Sequence, residues 1–265
     1  MTSTSSYWDA LAPHHASIED NFLDVRSVRR IIGDIREPLL IVGAGQGLIV
    51  EELLKNGIRS DGIDFSPEMI RYARLRRGLA FVRADAKALP FGDGAYNTII
   101  YATGVVDFTD ADDQIKLIID EARRLIADSG KIFIAFYRFS DASEDFLTRL
   151  GLLRDNVLSY REALEIYRLG PLQAIAWVAA KAKTSHLRGL GLSLRSFVLS
   201  TSLEKRSSFE MQKIFQNAGD ADGMINAAPE KQPYRNEFEI RKLFGRLAIP
   251  IRKLESTPSC FIVEI

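Results

Sequence analysis

The sequence predicts an α/β protein: a twisted seven-stranded sheet with five parallel strands, a C-terminal hairpin supplying an antiparallel strand, and a helical cap inserted before that hairpin. Three observations predict it. Short β-rich runs alternate with segments of helical period from residue 39 to residue 137, the pattern of parallel strands joined by right-handed crossover helices. The alternation stops near residue 140 and resumes near 233. Two last β-rich runs, residues 248–254 and 260–265, flank a short linker containing Pro258, brief enough for an antiparallel return.

The parallel strands are expected at residues 39–42, 62–65, 79–83, 97–101 and 131–137. Ser66 and Pro67 suit the N-cap and first turn of a helix, and Gly57 and Gly130 stand where helices should stop. After the fourth strand, Ile115, Ile118, Ile119, Ala122 and Ile126 form one apolar helix face, as do Ile240, Leu243, Phe244 and Leu247 later. The interruption reads as helical. Ser207 and Glu210 have capping-box spacing, Met211, Ile214, Phe215 and Ala218 share a face, and Gly219 can end that helix. Residues 219–231 read as a mobile linker. The expected division is therefore a core of residues 1–139 and 233–265 and a cap of residues 140–232.

Thirty-five basic residues balance thirty-five acidic ones among 265, which argues against the broad positive field of a nucleic-acid binder. With Cys260 alone and only His14, His15 and His186, the chain lacks the ligands of an ordinary zinc site and any internal disulfide. The polar first residues carry no export signal, and the ten-residue apolar stretch 171–180 is about half of what a spanning helix needs. A reducing, cytoplasmic setting is expected.

The chemistry is concentrated after the first strand. Gly43-Ala44-Gly45-Gln46-Gly47-Leu48 lets the backbone turn tightly and lets a ligand approach the amides of a helix N-terminus. A dinucleotide fingerprint requires glycine where Leu48 stands, so a nicotinamide oxidoreductase is disfavoured. Asp64, twenty-one residues after Gly43, is placed to accept from ribose hydroxyls, and Asp85, after the third strand, from an adenine amino group. Three strand ends point at one nucleoside.

These residues resemble the class I S-adenosylmethionine-dependent methyltransferases. The stretch 40–47 looks like their first motif, Gly62-Ile63-Asp64-Phe65-Ser66-Pro67-Glu68-Met69 like their second, and Arg83-Ala84-Asp85-Ala86 with Leu89-Pro90-Phe91 like their third. The Leu-Pro-Phe signature is similar to the subgroup that includes ubiquinone and menaquinone biosynthesis methyltransferases. The resemblance implies a Rossmann-like sheet and S-adenosyl-L-methionine as cofactor, held by Gly43, Ala44, Gly45, Gly47, Asp64, Phe65, Asp85, Ala86 and Tyr101. This chain departs from the family at Ile41, where an acid is usual, and at Tyr96-Asn97, where Phe-Asp is usual.

A sulfonium methyl is already activated, so transfer chiefly requires a nucleophile held close and water kept away. Where the acceptor needs a base, the candidates are His14, His15 and Asp107, with Tyr101 and Tyr137 as orienting hydroxyls. The resemblance also implies that the segment before the first motif covers the cofactor, bringing Tyr7 and Trp8 near. The insert contains Arg168, Lys181, Lys183, Arg188 and Arg195 and no acid from 166 to 203. It is expected to cap the carboxyl edge and shape a pocket for a lipophilic or amphipathic small-molecule acceptor, or to touch a membrane surface through Trp177, Leu190, Leu192, Leu194 and Phe197. A cofactor-binding module without catalysis is the alternative.

Overall fold

The computed structural model describes residues 4–15, 28–138, 144–145, 147–148, 151–168, 221–257 and 260–265. The chain divides into two units, Phe22–Arg138 with Arg235–Ile265 and Met1–Asn21 with Phe139–Tyr234.

The first unit is built on a seven-stranded sheet in the order β3-β2-β1-β4-β5-β10-β9, with β3 and β9 at its edges. Its strands are β1 Leu39–Val42, β2 Asp61–Asp64, β3 Val82–Arg83, β4 Tyr96–Tyr101, β5 Ile126–Tyr137, β9 Lys253–Ser256 and β10 Cys260–Glu264. The first five are parallel and β10 runs antiparallel between β5 and β9. The four residues of β1 are all buried, as a strand covered on both faces requires.

Two apolar layers cover the sheet. On one face Ile115, Ile118, Ile119, Ala122 and Leu125 of helix α4 (Asp112–Leu125) and Ile240, Leu243 and Phe244 of α7 (Glu237–Arg246) pack with Leu40, Ile99 and Ile134. On the other, Ile49, Val50 and Leu53 of α2 (Leu48–Lys55) and Val28 and Ile31 pack with Ile41, Ile100 and Ile262. Ser66 caps α3 (Pro67–Arg77), its hydroxyl accepting from the Met69 amide at 3.1 Å, and Gly78 closes that helix at φ 67°.

Three local expectations are corrected. Gly130 does not stop a helix: α4 ends at Leu125 and Gly130 lies inside the twelve-residue β5. A Cβ there would fall 2.5 Å from the Ile126 side chain and 3.0 Å from the Asn97 carbonyl, so the glycine serves close strand approach. Ile126 accordingly opens a strand rather than ending a helix face, and Leu125 takes the buried place. The run expected from 248 begins only at Lys253, because Ala248 turns at φ 55° and the Ile249 amide returns to the Phe244 carbonyl, closing α7.

The second unit contains α1 (Thr4–His15), β6 (Leu153–Arg154), β7 (Val157–Leu158), α5 (Tyr160–Arg168), α6 (Ala221–Ala227) and β8 (Gln232–Pro233). The N-terminal segment, expected with the sheet core, groups here: α1 packs on α6, and the Tyr7 and Tyr160 hydroxyls lie 2.8 Å apart. The insert is not helical throughout. Its β6, β7 and β8 form a three-stranded antiparallel sheet, turned at Asp155 and Asn156 with φ 49° and 60°, values that two-residue hairpins require. Residues 219–231, expected as a linker, hold α6 from Ala221 onward, with Met224 and Ile225 buried, and β8 follows at Gln232. The helix expected around Ser207–Gly219 and the basic stretch 169–203 lie outside the described residues.

Candidate functional site

The parallel registers align the ends of β1, β2, β3 and β4: Val42 pairs with Ile63 and Tyr101, and Asp64 with Arg83. One carboxyl edge therefore carries the glycine loop, Asp64, Ala84-Asp85 and Ala102.

The loop is fixed from behind. The Ile63 carbonyl accepts from both the Gly43 and Ala44 amides, at 3.0 and 2.8 Å, and the Ala44 carbonyl accepts from Gly47 at 2.9 Å. Gly43, Gly45 and Gly47 have φ of 77°, 55° and 90°, a region where side chains cost energy. Their surroundings differ. A Cβ on Gly43 would fall 2.4 Å from Val105 Cγ2, and one on Gly47 2.4 Å from Leu79 Cδ1, whereas one on Gly45 would meet nothing within 4 Å. Gly43 and Gly47 thus serve packing, and Gly45 presents bare backbone to open space.

Asp64 ends β2 and joins this loop. Its Oδ2 accepts from the Gly45 amide at 2.7 Å and its Oδ1 from Ser66 at 2.8 Å. Next to it Phe65 is 45% exposed, an apolar ring at the same edge. Asp85 holds its own turn, accepting from the Lys87 amide at 3.0 Å, with Ala86 half-buried beside it. The following Leu89-Pro90-Phe91 segment is clamped by α4: the Leu89 amide donates to Glu121, and Arg124 donates to the Leu89 and Phe91 carbonyls. Arg124 and the Leu89 amide hold the Glu121 carboxyl below its ordinary value against the opposing effect of burial.

The catalytic candidates fare differently. Tyr101 is fully buried, and its hydroxyl donates to the Ile118 carbonyl of α4 at 3.2 Å. Burial pushes its phenol well above the usual range. Expected to orient ligand, this hydroxyl instead points into the core, because side chains alternate across a strand and Tyr101 falls on the α4 face. Asp107 is buried as well, its Oδ2 accepting from the Gly104 amide at 3.1 Å and the Tyr137 amide at 3.2 Å. It braces the loop after β4 against the end of β5, and Tyr137 takes part through its backbone. His14 is half-buried on α1, in the other unit, and the His15 side chain lies outside what is described.

The two departures separate. Ile41 is wholly buried in the layer under α2. Asn97 stands at the amino end of β4, opposite the glycine loop, where its amide group donates to the Glu37 carbonyl at 2.7 Å; that substitution bears on the chain before β1. Sequence reading missed Arg235. The residue is 8% exposed, and its guanidinium donates to the carbonyls of Val106, Asp107 and Thr109 at 3.3, 3.5 and 2.6 Å. A lone arginine between a tyrosine and a helix cap carries no periodic signal for such burial.

Comparison with known proteins agrees with this geometry. A family model described as a methyltransferase domain matches residues 40–134. The demethylmenaquinone methyltransferase of Thermus thermophilus is 33% identical over 100 residues, 36% of this chain and 44% of that protein. Three curated relatives, each a demethylmenaquinone methyltransferase, are matched over 44%, 29% and 57% of their lengths, so the chain spans less than two thirds of each. Among solved structures, the PH0226 protein of Pyrococcus horikoshii aligns with TM-score 0.53 at 14% identity over 94% of both chains. A Rhodobacter sphaeroides protein assigned by name to the Zn-dependent alcohol dehydrogenases aligns with TM-score 0.58 at 12% identity over 100% of this chain and 98% of that one. At those identities both likenesses speak to the fold alone.

Proposed function

We propose that the chain, matched over residues 40–134 by a methyltransferase domain model, is a class I S-adenosylmethionine-dependent enzyme that transfers a methyl group to a small lipophilic acceptor. The observation that carries the reading is the open backbone face at Gly45 with Asp64 bound to its amide. A nucleoside lying on that face would meet bare peptide, with the Asp64 carboxylate beside it as the acceptor for ribose hydroxyls. Phe65 offers an apolar surface for the adenine, and Asp85 an acceptor for its amino group.

When bound, S-adenosylmethionine supplies a methyl group already activated by the sulfonium. The protein's part is to hold donor and acceptor in line and to exclude water. The Tyr101 hydroxyl and the Asp107 carboxylate are engaged with the core and the loop, so the proton that a carbon or hydroxyl acceptor releases passes to another group or to water. The acceptor class is supported by the demethylmenaquinone methyltransferase relatives, whose named substrate is a lipophilic quinone precursor, and by the apolar residues of the insert. The cap and the acceptor pocket it would form are part of this proposal.

Two measurements test it. Calorimetry with S-adenosylhomocysteine should show one site, and NAD should not compete. Incubation with radiolabelled S-adenosylmethionine and a short-chain demethylmenaquinol should move label into the organic phase. Binding of the cofactor product without transfer would leave the non-catalytic module as the reading.

A further inference from the structure

We propose that Arg235 is a positioning residue, holding the loop after β4 in the shape that forms one wall of the cofactor site. The inference rests on the function proposed above and names a residue that sequence motifs do not mark. Three backbone carbonyls within residues 106–109 accept from this one guanidinium, whose planar fork presents several donors in fixed geometry.

The loop reaches the glycines directly. Val105 Cγ2 stands 2.4 Å from where a Gly43 Cβ would be, so Val105 lies against the α-carbon of the first glycine after β1. On the same loop the Asp107 carboxylate accepts from the Gly104 and Tyr137 amides, and the Val105 carbonyl accepts from the Thr109 hydroxyl at 3.1 Å. Arg235 holds residues 106–109 of this turn by their carbonyls, and Asp107 ties the turn to the Gly104 and Tyr137 amides. A shift of residues 105–109 moves the side chain that seats Gly43.

The charge sits in a place where it is expensive. Burial pulls the Arg235 guanidinium below its ordinary value, while Asp107, Asp112 and Asp110 oppose that pull. A desolvated arginine is tolerated when carbonyls and acids surround it, and here they belong mainly to the loop it holds. Arg235 is also the first core residue after the insertion, so its docking fixes where the returning chain begins.

The test uses the full chain with Arg235→Met and Arg235→Lys, hydrogen exchange, and calorimetry with S-adenosylhomocysteine. In R235M, amides of residues 102–110 should exchange at least tenfold faster while β1 and β5 keep their protection, and affinity should fall at least fivefold. R235K, able to reach fewer carbonyls, should fall between. Faster exchange spread evenly over β1, β4 and β5 would mean a general loss of stability and overturn the proposal. Unchanged loop exchange or unchanged affinity in folded R235M would overturn it too; if R235M does not fold, the same outcomes are read from R235K. Should the wild-type protein bind no S-adenosylhomocysteine, the proposed function fails together with the affinity half, while the exchange measurement still decides the grip on the loop.

Discussion

The Gly45 amide donates to Asp64 Oδ2 at 2.7 Å, so the acid that ends β2 also fixes the middle glycine of the loop after β1. Asp64→Ala removes the proposed ribose acceptor and the loop's partner together. A lost hydrogen bond to a charged group costs roughly 1.5–3 kcal/mol, about ten- to hundredfold in affinity. Calorimetry with S-adenosylhomocysteine should read at least that loss, and Asp64→Asn, which cannot accept on both sides, should not restore it.

Gly43 and Gly45 should respond to alanine in opposite ways. Gly43→Ala meets Val105 and a positive φ, adding overpacking of about 1–3 kcal/mol to left-handed strain of about 1–2 kcal/mol. Its main effect should be a lower melting temperature. Gly45→Ala carries only the strain but puts a methyl on the open face, so its main effect should be on ligand affinity.

Tyr101→Phe should leave cofactor affinity unchanged. Its hydroxyl serves the Ile118 carbonyl, and removing that bond should cost roughly 0.5–1.5 kcal/mol of stability. A thermal melt paired with a binding titration checks this; a large loss of binding would return the hydroxyl to the site.

What the sequence made legible was what local chemistry decides. Glycines at a strand end, Ser66 before Pro67, and β-rich runs of four to six residues give signals within a few positions, and strands 39–42 and 97–101 and the Ser66 cap stand where expected. Direction and distance were not legible. Tyr101 lies on a strand buried on both faces, leaving no alternation of exposed and buried positions to say which way its hydroxyl points. Arg235 and the carbonyls it holds are more than 120 residues apart in the chain. The Asp155-Asn156 hairpin did have a local signal, two turn-forming residues able to adopt positive φ, which the helical reading of the insert passed over.

The Glu121 clamp gives a pH dependence. Arg124 and the Leu89 amide depress its carboxyl in the folded state, so its stabilisation is fully present above the unfolded value of about 4.3 and is lost as pH falls through the lower folded value. Glu121→Gln should be less stable by roughly 1 kcal/mol at pH 7, since Arg124 is partly solvated. Denaturant melts should show that gap closing below about pH 4.

Joining Arg138 to Arg235 through a flexible linker removes the insertion at the unit boundary. The shortened protein should keep S-adenosylhomocysteine binding and lose methyl transfer. Transfer to the native acceptor at the full rate would show that the insertion is neither lid nor specificity element.

The sheet's two edges are unlike its middle. At one, β3 is two residues long and carries the exposed Arg83; at the other, β9 carries Lys253 and Glu255. A strand seeking to dock on either side finds few open backbone groups or an array of charge, the two devices that discourage edge-to-edge growth. The strands β1 and β2, whose register aligns the glycine loop with Asp64, stay interior, so the edges that would meet another strand are not the ones that build the site.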